Sequence, residues 1–123
     1  MKASDYGLSG RGGDLFDVLT ATFDFDAHEL PTVVELCLTA SLLERLESAM
    51  SSEDLIVMGS QRQPTANPIL GELARHRGMY VRLYSALNLP ELDEGGNHID
   101  LTNPRSVRAQ KAAQARWGKV SGG

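Results

Sequence analysis

The chain has 123 residues, 41% of them hydrophobic but only 6% aromatic, which is room for one modest core and excludes a two-domain enzyme. Twelve Lys and Arg stand against 16 Asp and Glu, a net charge of −4, so the molecule as a whole is no general polyanion binder. The balance is uneven: residues 1–60 hold three cations and eleven acids, net −8, whereas residues 61–123 hold nine cations and five acids, net +4.

Residues 1–13 carry Gly7, Gly10, Gly12 and Gly13 among Ser and charged residues, a composition that predicts a flexible arm. From Asp14, Leu15, Phe16, Val18 and Leu19 recur as a short amphipathic helix requires. Phe23 and Phe25 alternate with Asp24 and Asp26, which reads as an extended connector laying two rings on what lies beneath. Asp26 and Glu29 have the spacing of a capping box, so a long helix is expected from residue 28 to residue 50. Its stripe is Val33, Leu36, Ala40, Leu43 and Met50, widened by Leu42 and Leu46, and it should end in the polar turn Ser51-Ser52-Glu53-Asp54.

Leu55-Ile56-Val57-Met58, closed by Gly59, is a short extended segment that must pair with a second copy or with Phe23–Phe25, or pack as extended chain. Residues 60–65 read as a loop, and Asn67-Pro68 as an N-cap with proline at the first helical position. The following helix, 68–88, carries Leu70, Leu73, Arg77, Tyr80, Tyr84 and Leu87 on heptad spacing. Gly71 and Gly78 lie on one side of it, where either a close helix approach or tolerance of the propensity cost would account for them. Asn88-Leu89-Pro90 ends the element and 91–103 reads as a polar linker. In the tail, 104–123, Asn103-Pro104 caps a helix on which Arg105, Arg108, Lys111, Arg116 and Lys119 fall within an arc of about 140°.

The sequence is therefore read as mainly α: a long antiparallel helical hairpin with a short N-terminal helix, one short strand, and a flexible basic C-terminal helix, with a helical oligomerisation core over 14–90. The hairpin's apolar faces exceed its small core, so self-association is expected, through Val33, Leu36, Ala40, Leu43, Leu70, Leu73, Tyr80 and Tyr84. A monomeric bundle completed by the first helix is the alternative. The five tail cations, with no acid among them, point to phosphate contacts, or else to protein docking.

No catalytic constellation is present. His28, His76 and His98 fall in separate elements without zinc-like spacing, and the chain has no phosphate-binding glycine loop, no nucleophile elbow and no Cys-x-x-Cys. No cofactor or metal is implied. The lone Cys37, between Leu36 and Leu38, excludes an internal disulfide and reads as a buried, inert thiol. No apolar run nears the ~20 residues of a membrane span, and a cytosolic protein is expected.

Gly13-Asp14-Leu15-Phe16, Phe25-Asp26-Ala27-His28-Glu29-Leu30, a long acidic helix, Val57-Met58-Gly59-Ser60-Gln61-Arg62-Gln63-Pro64 and Asn67-Pro68-Ile69-Leu70-x-Glu72-Leu73-x-x-x-Arg77 follow one another in this order. Leu87-Asn88-Leu89-Pro90 and Ala112-Ala113-Gln114-Ala115-Arg116-Trp117 close the series. Over about residues 12–118, in this order and spacing, the chain resembles the small terminase subunits of tailed bacteriophages and prophages, in forms from actinobacterial hosts. Arg62 stands where that family often has glycine. The resemblance implies a non-enzymatic DNA-packaging factor in the bacterial host cytoplasm, a ring of about eight to twelve copies that binds the double-stranded viral genome and hands it to the large terminase ATPase and nuclease. Ring building then falls to the 28–50 and 68–88 helices. DNA contact is expected from Arg105, Arg108, Lys111, Arg116 and Lys119, with Arg62, Arg75 and Arg77 in second rank; the tail could instead be the handle for the large subunit. The alternative function is a helical oligomeric adaptor or regulatory protein that binds a protein partner without DNA.

Overall fold

The computed structural model describes residues 2–92, 94 and 95. In chain order it contains a 3-10 turn (Ala3–Tyr6), helices α1 (Gly10–Thr22) and α2 (Leu30–Ser51), strands β1 (Ile56–Met58) and β2 (Pro64–Ala66), and helix α3 (Pro68–Ala86). The described chain is mainly helical with one small antiparallel sheet.

Helix α2 is the central rod. The Asp26–Glu29 pair closes a turn ahead of it, the Glu29 carboxylate accepting from the Asp26 N–H at 2.9 Å, but the N-cap is Glu29 rather than Asp26 and makes no side-chain cap bond; the helix starts at Leu30 with Pro31 in its first turn. Arg77, midway along α3, meets Glu47 near the end of α2, while Leu87 just beyond α3 shares a cluster with Val33 and Leu36 near the start of α2. The two helices are therefore antiparallel. Asn67 caps α3 as expected, its side-chain oxygen accepting from Ile69 N–H at 3.0 Å. Its amide donates to the Asp54 carbonyl at 3.0 Å, which ties the cap to the turn that leads into β1.

Two expectations are corrected. Residues 2–13 are no flexible arm: Ala3 and Leu8 are buried in the core cluster, Gly7 turns the chain at φ 69°, and α1 begins at Gly10. The glycines serve packing. A Cβ on Gly12 would collide with the Cys37 carbonyl and the Ser41 hydroxyl, so only glycine lets α1 cross α2 this closely. The second concerns the strand: β1 pairs neither with a second copy nor with Phe23–Phe25 but with Pro64–Ala66, most of which falls in the loop expected over residues 60–65. Met58 faces Pro64 and Ile56 faces Ala66 across a tight turn closed by Gly59 N–H to Gln63 O at 2.7 Å. Arg62 occupies that turn at φ 62°, in the left-handed region, where a non-glycine residue costs about 1–2 kcal/mol.

The core lies where α1, α2 and the end of α3 converge. Phe16, Leu19, Phe23, Val33, Leu36, Cys37 and Leu87 are buried there. Phe25 packs against them, its ring edge-on to Phe23 with centroids 6.3 Å apart, so the connector does lay its rings on the core. Leu89 and Leu92 also pack against this cluster, and the packed body thus reaches into the stretch read as a linker. Burial pushes the Cys37 thiol up to about 11, with the Asp17 charge adding to the effect.

At the glycines, packing predicts opposite signs. Gly12→Ala should destabilise the chain by ~1–3 kcal/mol through overpacking. Gly71→Ala, where an added Cβ meets open space, should instead stabilise it by ~1 kcal/mol, a rise of roughly 4–8 °C in Tm. Thermal unfolding of the two variants checks both. For Cys37, a thiol reagent at pH 8 should react slowly with the folded chain and rapidly once denaturant is added; equal rates would contradict its burial.

Candidate functional site

The first turn of α1 has free amide N–H groups and no local cap, since the Ser9 side chain makes no capping bond. Helix α2 supplies the missing acceptors. Glu44 accepts from Arg11 N–H at 3.2 Å and the Ser41 hydroxyl accepts from Gly12 N–H at 2.9 Å; the same hydroxyl donates to the Ser9 carbonyl at 2.9 Å. The carboxylate of Glu44 also suits the positive end of the helix dipole.

One turn further along α2, Glu47 joins the three helices. Its oxygens receive both Nη atoms of Arg11, at 2.6 and 3.2 Å, and the Nη2 of Arg77 at 3.5 Å. The Arg11 hydrogen bond holds the Glu47 carboxyl below the ordinary carboxylate range against an opposing desolvation, and the charges of Arg11 and Arg77 reinforce it. Sequence reading missed this node. Its only signal was that Arg11 is one of three cations in the acidic first 60 residues.

Of the second-rank DNA candidates, Arg77 is thus held by Glu47, and Arg75 by Glu72 at 3.1 Å on the same helix. Arg62 is exposed at the hairpin turn and has no ion pair among the described residues. The three are not gathered into one patch by any shared contact. Arg105, Arg108, Lys111, Arg116 and Lys119 lie outside the described residues.

The oligomer contacts also need correction. Val33, Leu36, Ala40, Leu43 and Leu73 are buried within the chain itself: Val33 and Leu36 share a cluster with Phe16 and Leu19 of α1, and Leu73 is the buried residue of α3. They hold the fold and present nothing to a neighbour. Leu70 and Tyr80 are half-buried, and Tyr84 is 42% exposed. Tyr80 and Tyr84 stack at 6.1 Å and line a shallow depression with Val81; desolvation raises the Tyr80 pKa, helped by Tyr84. The hairpin adds exposed Leu55, Ile56 and Met58.

Among the described residues no group of three His, Cys, Asp or Glu side chains is arranged to hold a metal ion, and no helix is long and apolar enough to cross a membrane. His76 has its Nδ1 on the Glu72 carbonyl at 2.7 Å. No family model matches this chain, and no curated protein or solved structure matches it.

The Glu47 node has a pH signature. Its carboxyl pKa is lower in the folded chain than in the unfolded one, so the stability it contributes is complete above the unfolded value and is lost as pH falls through the folded value. Denaturant midpoints taken between neutral pH and pH 3 should fall less for Glu47→Gln than for the parent chain. Parallel curves would show that Glu47 carries none of the acid sensitivity.

Proposed function

We propose that this chain is a small terminase subunit: a non-enzymatic, oligomeric protein that binds viral double-stranded DNA and recruits or regulates the large packaging subunit in the bacterial host cytoplasm. The observation that carries the reading is the separation of charge. Residues 1–103 hold seven cations and 16 acids, net −9, while residues 104–123 hold five cations and no acid. Three of the body's cations, Arg11, Arg75 and Arg77, are already engaged by carboxylates. The acidic body repels a phosphate backbone, and the tail is the segment with charge to attract one. The order of motifs from Gly13 to Trp117 supports the family assignment.

Oligomerisation gives such a tail its strength. One five-cation tail binds duplex weakly, but several tethered to a single ring, expected at about eight to twelve copies, act together and raise the effective concentration of each for the next phosphate. Tethering also lets the body remain free for the large subunit. A second reading, an oligomeric adaptor that binds a protein partner without DNA, is favoured by the exposed Tyr84, Val81, Leu55, Ile56 and Met58, which offer apolar contacts away from the tail.

A chain ending at Asp100 should keep the parent's oligomeric mass and lose retention of duplex DNA. For the full chain the logarithm of affinity should fall against the logarithm of salt with a slope of roughly −4 to −5 for each fully engaged tail. Light scattering and a filter-binding titration read the two quantities. DNA retention that survives the truncation would move the contact to the body, and absence of retention by the full chain would favour the adaptor.

A further inference from the structure

The outward side of α2 is patterned as if to meet itself. Pro31, Glu35, Leu38, Leu42, Arg45 and Ala49 are all exposed, at intervals of four, three, four, three and four residues. At 100° per residue they fall within an arc of about 80°, opposite the stripe that faces the core. Leu38 is 42% and Leu42 37% exposed, although both lie in the middle of a 22-residue helix. Glu35 and Arg45 make no ion pair among the described residues.

The order of these residues is symmetric about residue 40. With a rise of 1.5 Å per residue, Leu38 and Leu42 lie about 3 Å either side of that level, and Glu35 and Arg45 about 7.5 Å either side. A two-fold axis at that level, crossing the seam between two antiparallel copies of α2, sets Leu38 of one beside Leu42 of the other. It also brings each Glu35 level with the other copy's Arg45, and each Pro31 level with an Ala49. The 3.5-residue repeat suits the shallow left-handed crossing of such a pair, which narrows the seam between the facing charges. An isologous contact requires one patch that complements itself, and a face with an acid at one end, a base at the other and leucines between them satisfies this.

We propose that the outer face of α2 is a self-association surface, which pairs antiparallel with the same face of a second copy of this chain through four central leucines and two Glu35–Arg45 ion pairs. The contact uses α2 alone and does not depend on the DNA-packaging reading. In parallel pairing the like charges would lie side by side, so the ion pairs also set the direction. The buried residues first expected at the interface play no part in it.

Charge reversal tests the proposal, because both charged side chains are exposed and their exchange leaves the core intact. At low salt and rising concentration, light scattering of the parent should approach twice the 13.3 kDa of one chain, or an assembly built from such pairs. Glu35→Arg alone and Arg45→Glu alone should each abolish the pairing, with unchanged helical content and, at dilutions where the parent is a single chain, the parent's melting temperature. An equimolar mixture of the two variants should pair again, since one then presents only bases and the other only acids, and the double variant should pair with itself. A parent that stays at one chain mass throughout, single reversals that leave its mass unaltered, or a mixture that fails to recover would each overturn the contact.

Discussion

The crossing of α1 over α2 at Gly12 is the constraint on which the rest of the structure depends. Without a side chain at that point the helices approach closely enough for Ser41 and Glu44 to serve as acceptors for the amides that open α1. That docking fixes the direction of α1 and brings Phe16 and Leu19 onto Val33, Leu36 and Cys37. Leu87, Leu89 and Leu92 then close the same cluster from the far side. A larger residue at position 12 would push the helices apart, and both the polar contacts and the apolar ones would weaken together.

Charge follows from the same arrangement. Since α1 and α3 both run antiparallel to α2, Arg11 and Arg77 reach the same turn of α2, and one carboxylate, Glu47, serves both. Exposed ion pairs are worth little singly, but Glu47 joins three helices rather than two, so it selects one arrangement of the bundle more than it adds to its stability. Its one negative charge faces two positive ones, and of these only Arg77 comes from outside the acidic first 60 residues, so α3 brings a cation to the acidic surface of α2.

What was legible in the sequence was what local physics decides. The 22-residue helix, its polar end at Ser51, the Asn67-Pro68 cap and the aromatic connector at Phe23 and Phe25 all follow from spacing and capping chemistry acting over a few residues. What was illegible depended on partners far along the chain. Gly10, Gly12 and Gly13 look like the composition of an arm, and their role appears only once Cys37 and Ser41 are opposite them. Pro64-Thr65-Ala66 has little strand propensity of its own and is held extended by its pairing with Ile56–Met58. The heptad stripe of α3 misled for a related reason: Leu73 and Leu87 are buried, but Leu83 rather than Tyr84 turns toward the core, and Tyr84 is left outside. Of the candidate site, the acidic body could be read directly, whereas the engagement of Arg75 and Arg77 by carboxylates could not.

The leftover apolar surface separates into two kinds, and the distinction bears on assembly. A self-complementary face such as that of α2 closes on itself at two copies and cannot propagate. A ring requires the other kind, a patch that meets a different patch on the next copy. Val81 and Tyr84 on α3 and Leu55, Ile56 and Met58 at the hairpin are two such patches, both exposed and chemically unlike each other. Joined head to tail, two such patches generate a ring only where the rotation between copies closes, and an open filament where it does not; the proposed α2 contact, acting independently, would then pair copies between two rings. The count of copies would then be even, and charge reversal on α2 would halve the assembly and leave each ring intact.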